Sequence, residues 1–350
     1  MKSGDIMKMI YDYSYLEMEE MFVEKKIKKF RAKQLFTWLY RKRVQQFTEM
    51  TDLSKDTIAM LQQEYIIDPV EIVETQIARD KTTKYLFKLQ DGALVEAVLM
   101  YFDYGNSLCV SSQIGCNMGC RFCASGLLKK CRDCTSGEMV GQVMAVQRML
   151  DETDQRLSHV VIMGTGEPFD NYEQVMRFCK TINDDRGLAI GARHITISTC
   201  GIVPKIDLFA KEKVQYNLAV SLHAPDDDLR NQLMPINQAY PLSELMASLR
   251  RYSEDNHRRL TFEYILLKGV NDSEQHARQL AKLLRNFNAY VNLIPYNPVD
   301  EHGFQTSLDH ITLRFYDTLM KNHVKCTLRQ KHGEDIDAAC GQLRAKHEGS

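Results

Sequence analysis

No stretch of the 350-residue chain carries the roughly eighteen consecutive apolar residues needed to span a bilayer. No apolar N-terminal segment of signal-peptide type is present either. The expectation is a cytoplasmic protein with no membrane partner. Internal repeats and low-complexity segments are also missing, so fibrous and disordered classes do not fit. Net charge is missing too: 45 Lys+Arg against 46 Asp+Glu leave −1, which by itself says nothing about nucleic acid. What is present is 44% hydrophobic content, enough to bury one large domain and a small one. Ten cysteines in a reducing compartment read as ligands, nucleophiles or buried thiols rather than as a disulfide framework.

Three of those cysteines carry the strongest signal. Cys116, Cys120 and Cys123, in G-C-N-M-G-C-R-F-C-A-S-G, form a C-x-x-x-C-x-x-C triplet. Thiolates are the usual ligands of iron-sulfur clusters, and a full set numbers four, so a triplet leaves one iron open to a substrate. Gly115 and Gly119 permit the left-handed backbone that folds a short loop around a bulky cofactor. Structural zinc sites instead pair C-x-x-C or C-x-x-H ligands in a closed tetrahedron. Cys131 and Cys134 form a second pair, but five cysteines within nineteen residues match no standard zinc spacing. Cys131 and Cys134 are expected to be small buried residues, as are Cys179, Cys200 and Cys326.

Charge is segregated locally even though it cancels globally. Between positions 25 and 43 nine residues are basic and none is acidic. Phe30, Leu35, Phe36, Leu39 and Tyr40 recur at helical spacing there, predicting an amphipathic helix whose basic face suits a phosphate backbone or plain solvent. Residues 1–70 read as a helical accessory domain, with Ser54 as a cap for the Ile58, Leu61, Tyr65 face. Residues 71–105 read as a β-hairpin connector turning at Gln90, Asp91 and Gly92. From 106 to 330 short apolar strands alternate with helical stretches, which predicts an α/β fold with a parallel sheet, open or closed as a barrel. Residues 331–350 form a C-terminal segment.

In such sheets ligands sit at the carboxyl ends of the strands. Gly164 to Pro168, Ser198, Ser221 to His223 and Asn297 all fall just there, and Glu167 is placed to accept hydrogen bonds from an ammonium group.

The ordered strings V-S-S-Q-I-G-C-N-M-G-C-R-F-C, M-G-T-G-E-P-F-D-N-Y, I-T-I-S-T-C-G-I-V-P, L-A-V-S-L-H-A-P, L-M-P-I-N, N-L-I-P-Y-N-P and G-E-D-I-D-A-A-C-G-Q-L run from Val110 to Leu343. The triplet resembles that of radical S-adenosylmethionine (SAM) enzymes, and the whole series resembles the dual-specificity RNA methyltransferases that modify carbon 2 of adenosine. F-R-A-K-Q-L-F-T-W-L-Y and F-T-E-M-T-D-L-S resemble that family's RNA-binding accessory domain. The resemblance implies a partial (β/α) barrel of radical SAM type with a small helical N-terminal domain. It implies a [4Fe-4S] cluster on Cys116, Cys120 and Cys123, with SAM, two per turnover, at Gly166, Glu167, Ser198, Ser221, Leu222, His223 and Asn297. It further implies 23S ribosomal RNA and transfer RNA as substrates and an electron donor such as flavodoxin.

Cys340 matches the cysteine that becomes S-methylated, Glu96 a proton acceptor, and Cys109 a resolving cysteine that forms a disulfide with Cys340. Carbon 2 of adenine is electron-poor and a bad nucleophile, so polar displacement on the sulfonium methyl fails. A good thiolate nucleophile takes the methyl first, and a radical on that methyl then adds to the ring. Whether Glu96 or Cys109 removes the proton stays open. Two rivals are a carbon-8 methyltransferase conferring antibiotic resistance, disfavoured by Pro168 and the F-E-Y string at 262–264, and a noncatalytic iron-sulfur RNA-binding redox sensor, which has no use for Cys340.

Overall fold

A computed structural model describes residues 7–256, 258–330, 332–336, 338 and 342–343. Near the N-terminus lie helices α1 (Tyr15–Glu24), α2 (Arg31–Thr37) and α3 (Lys55–Glu64). Ser14 opens α1 with a reciprocal capping box to Glu17, and Ser54 Oγ accepts the Thr57 N–H at the start of α3, as its position predicts. The single helix expected across 25–43 is broken. The chain leaves α1 at Glu24, re-enters helix only at Arg31, passes into a π-helical turn at Trp38–Lys42 and stops at Arg43 in the left-handed region. Three of the basic side chains are also neutralised, Lys25 by Glu64, Lys29 by Glu19 and Arg43 by Asp151.

Ten strands form one sheet whose spatial order repeats chain order. They are β1 (Val70–Ile77), β2 (Thr83–Leu89), β3 (Leu94–Phe102), β4 (Gly105–Val110), β5 (Leu157–Ile162), β6 (Ile195–Thr199), β7 (Asn217–Ser221), β8 (Leu260–Leu266), β9 (Ala289–Pro295) and β10 (Lys325–Leu328). Pairings from β1 to β4 are antiparallel. Those from β4 to β10 are parallel. Gly92, at φ +84°, makes the β2–β3 turn, helped by Asp91 accepting the Ala93 N–H. Strands β1 and β10 stand at opposite edges, so the sheet is open and the barrel partial.

Parallel neighbours need crossovers, and helices supply them. These are α4 (Ser136–Asp151), α5 (Tyr172–Asn183), α6 (Val203–Lys211), α7 (Asp227–Leu233), α8 (Leu242–Asn256), α9 (Glu274–Leu284) and α10 (Asp309–Lys321). Helix α4 is buried nearly all round because the accessory domain packs on its outer side. Its Gly137 N–H donates to Asp12 Oδ1 at 2.6 Å, and a Cβ there would lie 2.7 Å from that same oxygen. One apolar cluster runs from Phe22, Phe36 and Tyr40 through α4 and the sheet to Phe315. Among the described residues no helix is long and apolar enough to cross a membrane.

Candidate active site

The loop leaving β4 is fixed before it reaches the cysteine triplet. Buried Gln142 of α4 accepts the Ser111 N–H and donates to the Ser111 carbonyl. Ser111 Oγ donates to the Glu96 carbonyl at 2.6 Å and accepts the Thr165 N–H at 2.9 Å. A two-residue antiparallel pairing of Gln113–Ile114 with Arg132–Asp133 then closes the base of the triplet loop. Gly115 sits at φ +76° with the Lys129 carbonyl oxygen 2.3 Å from where a Cβ would be, so no side chain is accommodated. The Cys116 N–H bonds the Leu128 carbonyl, and the Cys123 N–H the Cys120 carbonyl.

Burial pushes the Cys116 thiol up to about 11, with Cys123 and Glu167 adding to the effect. Burial raises Cys120 too, and the neighbouring Cys123 and Cys116 thiols reinforce it. Thiols so placed stay protonated until a metal centre supplies positive charge, which is the linkage expected of a cluster site. Among the described residues no three His, Cys, Asp or Glu side chains gather on one metal-ion position. Of the second pair, Cys134 is fully buried, but Cys131 is exposed, against expectation. Its N–H donates to the Ile114 carbonyl at 2.7 Å, so position 131 serves the small pairing through its backbone.

The loop after β5 is clamped to the triplet loop. Gln113 Oε1 accepts the Glu167 N–H, while its Nε2 donates to Asp133 and Asp170. Asn171 Nδ2 donates to the Ser112 and Cys134 carbonyls. Gly166, at φ +112°, lies so close to Gln113 that a Cβ would sit 2.7 Å from the Gln113 Cβ. Glu167 is buried, and burial raises its carboxyl above the usual range despite the bonds it accepts. Oε1 takes the Phe169 N–H and Oε2 the Cys200 N–H at 2.7 Å. The Thr199 and Cys200 side chains bond the carboxylate as well.

At the ends of β6 and β7 the organiser is Arg230, a residue the sequence did not single out. Its guanidinium is fully buried. It donates to the carbonyls of Cys200, Leu222 and Ser221 and to Asn237 Oδ1. His223, at φ +57°, accepts the Ile265 N–H on Nδ1, which leaves the ring proton on Nε2. Burial, with Arg230 adding to it, lowers His223 to about 3, so the imidazole is neutral. Leu222 contributes differently from its neighbours. Its side chain is in the main core, and only its backbone serves the site.

Cys120, Cys123, Gly166, Glu167, Ser198, Ser221 and His223 line one cleft. It encloses about 150 Å³ and opens to solvent at its mouth. Cys200, expected to be purely structural, lines it as well, as does buried Glu263. Glu263 Oε1 accepts from Asn292, while Oε2 has no partner and faces the cleft wall.

A second cavity shares Cys123, Met163, Gly164, Ile294 and Arg329 with the first and holds Cys109 and Asn297. The Asn297 Oδ1 is buried without a partner. Ala338 and Leu343 also line this cavity, and Ser125 Oγ donates to the Leu343 carbonyl. Cys340 lies outside the described residues. Glu96 is buried on β3 in step with Val98, a cavity residue, and Lys84 Nζ is 3.6 Å from its Oε1.

The chain is similar to known proteins over nearly its whole length. The Radical SAM superfamily profile matches residues 110–281, and the ribosomal RNA large subunit methyltransferase N-terminal domain matches residues 9–67. It is 55% identical over 341 residues to a "Probable dual-specificity RNA methyltransferase RlmN" of Streptococcus sanguinis, covering 96% of this chain and 94% of that protein. The protein of the same name from Spiroplasma citri is 54% identical over 340 residues, covering 97% and 98%. A solved radical SAM methyltransferase from Sphaerobacter thermophilus superposes with a TM-score of 0.94 at 44% identity, covering 97% of this chain and all of that one. The chain belongs to the RlmN family of dual-specificity RNA methyltransferases, radical SAM enzymes that work with a [4Fe-4S] cluster and S-adenosylmethionine.

Proposed function

We propose that the chain methylates carbon 2 of an adenosine in the peptidyl-transferase centre of 23S ribosomal RNA and of an adenosine beside the anticodon of transfer RNA, with Cys340 as methyl carrier. The observation that carries this reading is the pair of adjoining cavities. Gly166, Glu167, Ser198, Ser221 and His223 line one, and Cys109 and Asn297 lie in the other with Ala338 and Leu343, which flank position 340 in the chain.

Cys116, Cys120 and Cys123 would hold the cluster, which with bound S-adenosylmethionine would supply one-electron chemistry able to take a hydrogen atom from a methyl group. The residues around it do the rest. Glu167 and the carbonyl-rich ends of β6 and β7 orient the donor's charged end, Ser198 and Ser221 offer hydroxyls, and Asn297 offers an amide. Cys340 accepts the methyl on sulfur and presents it to the ring. The carbon-2 proton passes to Glu96 or Cys109. Cys109 Sγ, as thiolate, bonds Cys340 Sγ as the carbon–sulfur bond breaks; the bond's electron pair leaves on the methylene carbon, which takes up a proton and becomes the methyl group of the freed base. A flavodoxin is the matching reductant, and the cytoplasm, where both RNAs reside, is the matching location.

The test is anaerobic reconstitution with iron and sulfide, then turnover with donor, reductant and RNA. Mass spectrometry of the Cys340 peptide is expected to show S-methylation, and digestion of the RNA a methyl group on carbon 2. An unmodified Cys340, or a methyl group on carbon 8, overturns the reading.

A further inference from the structure

The concave face of the sheet has a second end, away from the cleft. Side chains alternate across a strand, so His159 shares the face of Met163, and Tyr290 that of Ile294. Here rings meet in an unbroken row. Phe102 and Tyr104 stack with centroids 4.8 Å apart and planes within 8°. Tyr104 meets His159 edge-on at 5.0 Å, and His159 stacks on His194 at 4.2 Å. Phe102 also meets His332 at 5.1 Å, and His332 lines the Cys109 cavity. The row therefore leads from the wall of that cavity to solvent, where Tyr104 is 64% exposed and His194 is exposed.

The turns that deliver the chain into β4 through β8 set cations around this end. Arg156, Arg193, Lys213, Arg258 and Arg259 lie on these turns together with the carboxylates Asp103, Glu152, Asp154, Asp184, Asp185 and Glu212, of which Asp184 is paired with Arg186 and Glu212 with Lys180. The contacts of Arg193, Arg258 and Arg259 are to neutral groups. Arg193 donates to Gln215 Oε1, Arg258 to the Tyr216 carbonyl and Asn217 Oδ1, and Arg259 lies over the Tyr290 ring at 4.6 Å. Among the described residues Arg193, Arg258 and Arg259 form no ion pair of the kind that holds Lys25, Lys29 and Arg43. A row of ring faces beside such cations is what unpaired nucleotides require, since bases stack on rings whatever their sequence and phosphates seek positive charge.

We propose that this rim docks the single-stranded RNA flanking the reacting adenosine, with an unstacked base on the Tyr104 and His194 end of the row and phosphates against Arg193, Arg258 and Arg259. The proposal rests on the RNA-methyltransferase reading, but its test needs no chemistry. Anaerobic holoenzyme without reductant is titrated with a fluorescein-labelled single-stranded RNA matching the substrate loop, across a salt series. Reversing charge at Arg193→Glu with Arg259→Glu is expected to weaken binding roughly 10-fold or more and to flatten the salt dependence by about two contacts. Tyr104→Ala with His194→Ala is expected to weaken it roughly 10-fold at unchanged salt slope, while Tyr104→Phe with His194→Phe stays at the parent affinity.

In the unsubstituted enzyme, RNA is expected to shield His194 from diethylpyrocarbonate. Equal modification with and without RNA overturns the proposal, whatever the variants do. So does an unchanged affinity in both the charge and the alanine pairs. If binding behaves as expected while no methyl group reaches the RNA, the functional reading fails and the docking surface stands.

Discussion

The two ends of the same parallel sheet are built on opposite principles. At the carboxyl ends polar groups are taken out of water and tied down: Glu167 by two backbone N–H groups, Arg230 by three carbonyls and Asn237, His223 by the Ile265 N–H. At the amino ends, rings and cations stand at the surface, held by neighbours but open on one side. Chemistry on a reactive donor needs preset, desolvated groups, whereas holding a flexible polymer needs accessible faces and positive charge. Separating the two lets each be altered without the other.

The largest test of that separation is Cys120→Ala. It is expected to remove the cluster's iron and visible absorbance and to lower RNA methylation by at least about a thousandfold, a cluster ligand being indispensable. Affinity for single-stranded RNA, measured by anisotropy, is expected to stay within about twofold. A parallel loss of RNA affinity would show that the ends are coupled.

Next in size is Arg230→Met, which strips a buried donor from four oxygens. It is expected to cost about 3 kcal/mol in urea unfolding, in line with orphaning a buried network. A loss under about 1 kcal/mol would mean that the strand ends hold their own shape.

Gly166→Ala forces a side chain onto φ +112° and against Gln113. About 2 kcal/mol of strain is expected, appearing as weaker donor binding in equilibrium dialysis with iron content unchanged.

The smallest effect, taken per unit of pH, is on acid stability. His223 is held at about 3, below its ordinary 6.5, so the folded state binds its proton less tightly than the unfolded chain. Stability from this group is present above pH 6.5 and is lost as pH falls through that value toward 3, by about 1 kcal/mol per unit. His223→Gln is expected to flatten the acid limb of a urea-midpoint profile. An unchanged limb would place the acid sensitivity elsewhere.

The two ends were also unequally visible in the sequence. Local signals sufficed where one segment holds the whole device. Strand β8 and helix α5 alternate as the apolar pattern of 106–330 requires, and the cysteine triplet and the residues after β5, β6 and β7 follow the strand ends as that alternation predicts. Helices α6 and α7 were not anticipated. One starts on a Val-Pro step inside a string read only as motif, and the other has just seven residues. Arg230 escaped notice because a lone arginine beside Asp227 and Asp228 looks like a solvated surface, and only the fold turns it inward. The aromatic row escaped for a stronger reason. Phe102, Tyr104, His159, His194 and His332 come from separate segments, and no window of sequence contains them. The basic stretch at 25–43 erred the other way, since its compact charge in sequence is partly cancelled in space.

Because each strand of the sheet lies against its predecessor in the chain, no pairing waits for a distant segment. Loop-closure cost is thereby kept small at every step, and a nascent chain can add one strand at a time as it leaves the ribosome. Cys340 follows β10 in the sequence, so the thiol assigned to carry methyl groups is synthesised only after every strand it would serve. Premature exposure of a reactive sulfur beside a half-built metal pocket is avoided by the order of translation alone.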